Sequence, residues 1–256
     1  SALGCFCALI NLPAKSFSMY ISGFSSSGKT TLWNSMLLSH PTKKKPDIPR
    51  FYYRFFDKIF IFSPSKDTLP LDKLRIGEDR IFIKYTNEDL DNIIEEEKES
   101  ENLNNLIILD DSIKQIKNNS QVHKLILNRR HLTQNPNEEG HAGLSVIITS
   151  QKYNACDLIT RVNMSDIILF KTENSKELNC IKEELMADLE KDIQDKVLKL
   201  AWKDKYSFLL IKNYLGTKDR YYVRFNKIIF EDTDDNGDID EIKIEEKEND
   251  KTNLKK

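Results

Sequence analysis

An α/β fold, a mainly parallel sheet flanked by helices and closed by a C-terminal helix and β-hairpin, follows from three features of this 256-residue chain. Short runs rich in Ile, Phe and Val alternate with helix-length polar stretches, the texture of strands buried on both faces of a parallel sheet. A glycine-bounded turn stands between the first such run and the first helix-like stretch. Another apolar run ends in two adjacent carboxylates, at the strand end where open α/β sheets gather their ligand-binding groups.

Taken in order, the strand-like runs are 17–22, 58–62, 81–84, 106–109 and 145–150, with 167–170 a further candidate. Between them a helix starts in the Gly28 turn, an acidic helix is expected over 87–99, and another over 112–131. After Lys171 a long amphipathic helix is expected, because Leu178, Ile181, Leu185, Leu189 and Ile193 recur on one face. Two β-rich runs between Tyr206 and Phe230 flank Gly216 and read as an antiparallel hairpin. Residues 1–230 are therefore expected to form one domain, with its C-terminal helix and hairpin over 172–230. The stretch 231–256 is polar, acidic and free of aromatics, the composition of a disordered tail.

Charge and cysteine content bound the function. With 39 basic and 41 acidic residues the net charge is −2, so no global positive field draws the chain to nucleic acid, and any such contact must be local. Cys5, Cys7, Cys156 and Cys180 lack the spacing of a zinc knuckle or redox pair, as expected of a reduced intracellular protein. The apolar opening 2–13 is too short to cross a bilayer and reads as leading into the first strand. Lys43, Lys44 and Lys45 followed by Arg50, Tyr53 and Arg54 mix cations with rings, a pattern shared by nucleic-acid contacts and by solvated loops that open a strand. The acidic tail approaches a calcium loop from Asp232 to Asp240, but Lys243 stands where the bidentate Glu belongs.

The residues that carry chemistry are more specific. Gly23-Phe24-Ser25-Ser26-Ser27-Gly28-Lys29-Thr30 fits the phosphate-loop pattern between strand and helix. The glycines let successive N–H groups turn toward phosphate oxygens, Lys29 reaches the β and γ phosphates, and Thr30 can ligate Mg²⁺. Gly23, Ser25, Ser26, Ser27, Gly28, Lys29, Thr30 and Thr31 form the expected nucleotide-contacting set, with ATP and Mg²⁺ as its ligands. The Asp110-Asp111 pair ends the apolar run 106–109: Asp110 is expected to hold the metal, and Asp111 to polarise the attacking water. Gln151 follows the run 145–150 at the same sheet edge, where its amide can bond both the γ-phosphate and the lytic water.

The order phosphate loop, Phe62-Ser63-Pro64, Leu109-Asp110-Asp111, Arg130-His131, Ser145 to Gln151 and Arg161-Val162-Asn163 resembles the virion DNA-packaging ATPases of large eukaryotic DNA viruses, virophages and related transposons. These belong to the FtsK/HerA superfamily of P-loop ATPases, of the additional-strand, RecA-like type. The resemblance spans about 17–170. It implies an ATP-hydrolysing translocase of double-stranded DNA, assembled as a homo-oligomeric ring of five or six copies, that packages a viral genome through a capsid or portal protein. It implies no membrane, and a place in the host cytoplasm or viral factory, or with the virion. It further implies that Arg130 or Arg161 acts on the neighbouring subunit's nucleotide, where a planar guanidinium can neutralise γ-phosphate charge. Arg129 stands where the family commonly has glycine, the segment 132–144 is longer than usual, and Asp111 replaces the glutamate of many relatives. A small-molecule kinase, needing an arginine lid, and a non-catalytic nucleotide-binding adaptor are the alternatives.

Overall fold

A computed structural model describes residues 12–13, 16–98, 104–132, 143–232 and 239–245. Its strands are β1 (Ser18–Ser22), β2 (Ile59–Phe62), β3 (Ile81–Phe82), β4 (Asn104–Leu109), β5 (Gly143–Ser150), β6 (Asp166–Phe170), β7 (Phe208–Lys212), β8 (Tyr221–Val223), β9 (Asn226–Asp232) and β10 (Ile239–Ile244). They form one sheet in the order β10-β9-β8-β7-β6-β1-β5-β4-β2-β3. The six strands from β6 to β3 run parallel, and β7 to β10 add to β6 as antiparallel neighbours. Strand β5 separates β1 from β4, which is the additional-strand arrangement: the loop after β1 and the carboxylates after β4 lie two strands apart on one sheet edge.

The helices are α1 (Lys29–Leu38), α2 (Leu71–Leu74), α3 (Asn87–Lys98), α4 (Ile113–Ile116), α5 (Ser120–Asn128), α6 (Leu158–Val162), α7 (Ser175–Leu185) and α8 (Lys191–Ala201). They sandwich the sheet, and each central strand is buried on both faces because its side chains alternate between two cores. Met19, Ile21, Ile108 and Ile147 face Trp33, Met36 and Leu37 of α1. Tyr20, Ile107, Val146 and Ile148 face Leu125 of α5, Ile181 and Leu185 of α7, and Val197 of α8.

Three sequence expectations are corrected. The single helix expected over 112–131 is two, α4 and α5, because Asn118 adopts a left-handed φ of 56° and Asn119 caps α5, its side chain accepting from the N–H groups of Gln121 and Val122. The long helix after Lys171 is also two. Its apolar face is as read, with Ile181, Leu185, Leu189 and Ile193 buried and Leu178 partly so, but the chain breaks after Leu185. There Tyr221 donates its hydroxyl to Leu185 O, and Gln194 donates to the carbonyls of Met186 and Leu189. Those three acceptors are carbonyls that a continuous helix would have used itself.

The hairpin around Gly216 is present as β7 and β8, but the sheet continues past it. Strand β9 runs to Asp232, and β10 lies within the stretch expected to be a disordered tail. Ile242 and Ile244 explain this, since both pack against the main core while the polar residues between them alternate away. Most of the calcium-loop-like segment lies outside the described residues.

Candidate nucleotide-binding and hydrolysis site

The phosphate loop starts at Gly23, whose N–H donates to Ser150 O at 3.1 Å, so β5 anchors its first residue. Only glycine fits there: a Cβ would sit 2.6 Å from Ser27 Oγ and 2.7 Å from Phe170 Cβ. Gly28 is required for a different reason, a φ of +105° that turns the chain into α1. Helix α1 therefore begins at Lys29, and its unpaired N–H groups point out of the loop toward any bound anion.

Lys29 is largely buried, and its Nζ donates to Gly23 O at 2.6 Å and Phe24 O at 3.0 Å. Burial lowers its ammonium below the ordinary value, while the charges of Asp111 and Asp110 act to raise it. That coupling locates both carboxylates within electrostatic reach of the lysine. Ser27 Oγ is buried with no partner among the described residues, an orphaned hydroxyl inside the loop of the kind a phosphate oxygen satisfies.

Asp110 is buried at the end of β4 and is fixed by three donors: Thr149 Oγ1 at 2.8 Å, Ser63 Oγ at 3.2 Å and Trp33 Nε1 at 3.3 Å. Trp33 belongs to α1, one turn beyond Lys29, so the indole ties the carboxylate to the helix that opens with Lys29 and Thr30. Asp111 is exposed and takes a left-handed φ of 50°, which Asp tolerates better than most residues. Its N–H donates to Thr149 Oγ1 at 3.0 Å and its carboxylate accepts from Gln151 Nε2 at 3.1 Å. Thr149 thus holds both acids, receiving a hydrogen bond from one and giving one to the other.

The donor set suits Mg²⁺. Among the described residues no group of three His, Cys, Asp or Glu side chains is placed to hold a metal ion. One hydroxyl, Thr30, and one carboxylate, Asp110, is the sparse protein ligation Mg²⁺ takes when water and substrate phosphates complete its shell.

The structure sets Lys29 in the field of Asp110 and Asp111, ties Asp110 to α1 through Trp33, bonds Gln151 to Asp111 and places Gly23 beside Gln151. Ser26, Gly28, Thr30 and Thr31 line one cleft with Lys29, Ser27 is buried inside the loop and Ser25 is exposed on it. It does not bring Arg130 or Arg161 to them. Arg161, read from the resemblance as one of two candidate trans-acting arginines, is 8 % exposed and occupied within the chain. It donates Nε to Glu184 Oε2 at 2.9 Å, forms a second bond to Oε1 and one to Cys156 O, and lies over the Tyr153 ring. Arg129 and Arg130 follow α5 at the opposite sheet edge, where Arg129 O accepts from Leu144 N at the start of β5. The Arg130 and His131 side chains are exposed. Arg129 is buried, bonded to Ser16 O and Ile126 O, its guanidinium lowered by burial and by its neighbour Arg130.

Trp33, Ser63 and Thr149 were not legible as site residues. Ser63 and Thr149 lie inside the quoted motifs Phe62-Ser63-Pro64 and Ser145 to Gln151, but what they touch depends on the neighbouring strands rather than on spacing.

No family model and no curated protein matches the chain. Solved structures do. The DNA-packaging ATPase B204 of Sulfolobus turreted icosahedral virus superposes with a TM-score of 0.53 at 14% identity, covering 79% of this chain and 95% of that one. The fold is that of the B204 packaging ATPase. The B204 genome-packaging NTPase of Sulfolobus turreted icosahedral virus 2, solved with AMPPCP, gives 0.55 at 15% identity over 83% of this chain and 98% of that one. The pCW3 conjugation coupling protein TcpA, solved with ATPγS, gives 0.50 at 12% identity, covering 83% of this chain but 61% of that one. At these identities the likeness is one of fold, and the mainly parallel α/β fold expected from the sequence is the fold observed. Among the described residues, no helix is long and apolar enough to cross a membrane.

Proposed function

We propose that this chain is an ATPase that translocates double-stranded DNA and packages a viral genome into a capsid, acting as a homo-oligomeric ring. The observation that carries this reading is the convergence of Lys29, Thr30, Asp110, Asp111 and Gln151 on the C-terminal edge of one additional-strand sheet. The likeness to B204, a DNA-packaging ATPase, and to a conjugation coupling protein supports DNA as the substrate that is moved.

Bound Mg²⁺ would screen charge between the β and γ phosphates. Lys29 leaves its two loop carbonyls for the phosphate oxygens. Asp111 accepts a proton from the attacking water while Gln151, already bonded to Asp111, orients it. Arg130 is the exposed arginine of the pair, and on this reading it reaches a neighbouring subunit's γ-phosphate from the far edge of the sheet. The protein would act in the host cytoplasm or viral factory, against a capsid or portal partner.

The kinase alternative draws no support, because Arg129 is held by backbone carbonyls at the edge opposite the phosphate loop. ATP turnover measured with and without double-stranded DNA, beside native mass, tests the proposal. Stimulation by DNA in an oligomer is expected; turnover indifferent to DNA in a stable monomer contradicts it.

A further inference from the structure

The loop fixes the phosphates but says nothing of the base. Strand order does. The γ-phosphate end faces β5 and β4, which carry Gln151, Asp110 and Asp111, so the base must leave on the other side of β1, toward β6 and β7. On that side a cleft of about 580 Å³ opens, lined among others by Gly28, Thr31, Leu32, Ser35, Phe170 and Tyr206.

Tyr206 is 58 % exposed, although it is a large ring beside the phosphate loop. It holds a φ of +62°, a conformation bulky residues seldom adopt and one that collects at ligand clamps. Lys205 Nζ lies 4.9 Å from the ring centroid and lines the neighbouring cleft rather than this one. One ring face is thus covered by a cation while the ring borders the cleft at Gly28, where a Cβ would lie 3.7 Å from Tyr206 Cδ1.

Resting on the ATP-hydrolysing reading above, we propose that Tyr206 is the platform on which the nucleobase stacks, and that the site takes ATP and GTP alike, without reading the base edge. Among the described residues, every polar side chain lining the cleft apart from Lys29 is a hydroxyl, from Ser26, Thr30, Thr31, Ser35 or Tyr206 itself. Hydroxyls both donate and accept, so they match the edges of adenine and guanine alike. Among the described residues no carboxylate or side-chain amide lines the cleft to favour one of them.

The test is calorimetric titration of the full chain with ATP, GTP and inorganic tripolyphosphate. Tyr206→Asn removes the ring yet suits the left-handed backbone, so it relieves strain rather than adding it; Tyr206→Trp keeps a stacking face. Tyr206→Asn is expected to weaken ATP and GTP roughly tenfold or more, the usual worth of one base–aromatic stack, and to leave tripolyphosphate unchanged, while Tyr206→Trp keeps wild-type affinity. Wild-type affinities for ATP and GTP are expected within about tenfold of each other, less than one net hydrogen bond to the base edge would separate. Unchanged ATP binding by Tyr206→Asn, an equal loss of tripolyphosphate, or a preference for one purine of more than about tenfold, roughly what one net hydrogen bond to the base edge gives, overturns the proposal. Lys29→Ala reports separately on the phosphate loop: tripolyphosphate binding retained by Lys29→Ala contradicts the loop assignment, whereas the Tyr206→Asn comparison of ATP with tripolyphosphate decides the platform.

Discussion

At the scale of single residues, the site is a set of acids and a lysine held by neighbours whose roles depend on the fold. Thr149 is the clearest of these, because its one hydroxyl joins Asp110 and the Asp111 backbone. Thr149→Val keeps the shape and removes both bonds. It should lower kcat by about tenfold to a hundredfold while changing ATP affinity little, since losing a positioning bond of roughly 1.5–3 kcal/mol misaligns Asp111 more than the loop; steady-state kinetics checks this. Gly28→Ala forces a Cβ into a φ of +105° and should cost about 1–2 kcal/mol of stability together with nucleotide affinity, read by thermal denaturation with and without ATP. Lys29, Thr30 and Asp110 were legible in the sequence because the phosphate loop has fixed spacing and a strand delivers its last residue to a known edge. Trp33 and Ser63 were not, since nothing in a single sequence says which strands become neighbours.

At the scale of elements, helix breaks and the last strand were the features hidden from sequence. Leu178, Ile181, Leu185, Leu189 and Ile193 mark one face correctly, but periodicity cannot report that Tyr221, far along the chain, takes a carbonyl at the break. The break before α5 is local, and Asn119 is its signal: Asn119→Ala removes the cap and should cost about 1 kcal/mol in chemical denaturation. Strand β10 was concealed by acidic composition, which outweighed the two isoleucines that tie it to the core. The six parallel strands, by contrast, were legible one by one as short apolar runs between helix-length polar stretches, although their order in the sheet was not.

At the scale of the whole molecule, the sheet separates two chemistries. The C-terminal edge carries the candidate nucleotide-site residues, while the opposite edge buries Asp166 at the start of β6. Burial raises the Asp166 carboxyl to about 6 from its ordinary 3.8, against the opposing pull of the Ser165 hydroxyl, Lys212 and Arg129. Because the folded state holds that proton more tightly, its stabilising share is full below 3.8 and is lost as pH rises through about 6, a span worth on the order of 3 kcal/mol. Melting temperature of the wild type should therefore fall from pH 4 to about pH 6.5 relative to Asp166→Asn, which lacks that slope. The account as a whole requires that segments far apart in the chain act on one nucleotide, and Asp111→Asn tests this most directly, through ATP binding and single-turnover hydrolysis on the same preparation. The variant is expected to bind ATP as the wild type does and to hydrolyse it at least a hundredfold more slowly, the usual scale for removing a general base; hydrolysis at the wild-type rate contradicts the account.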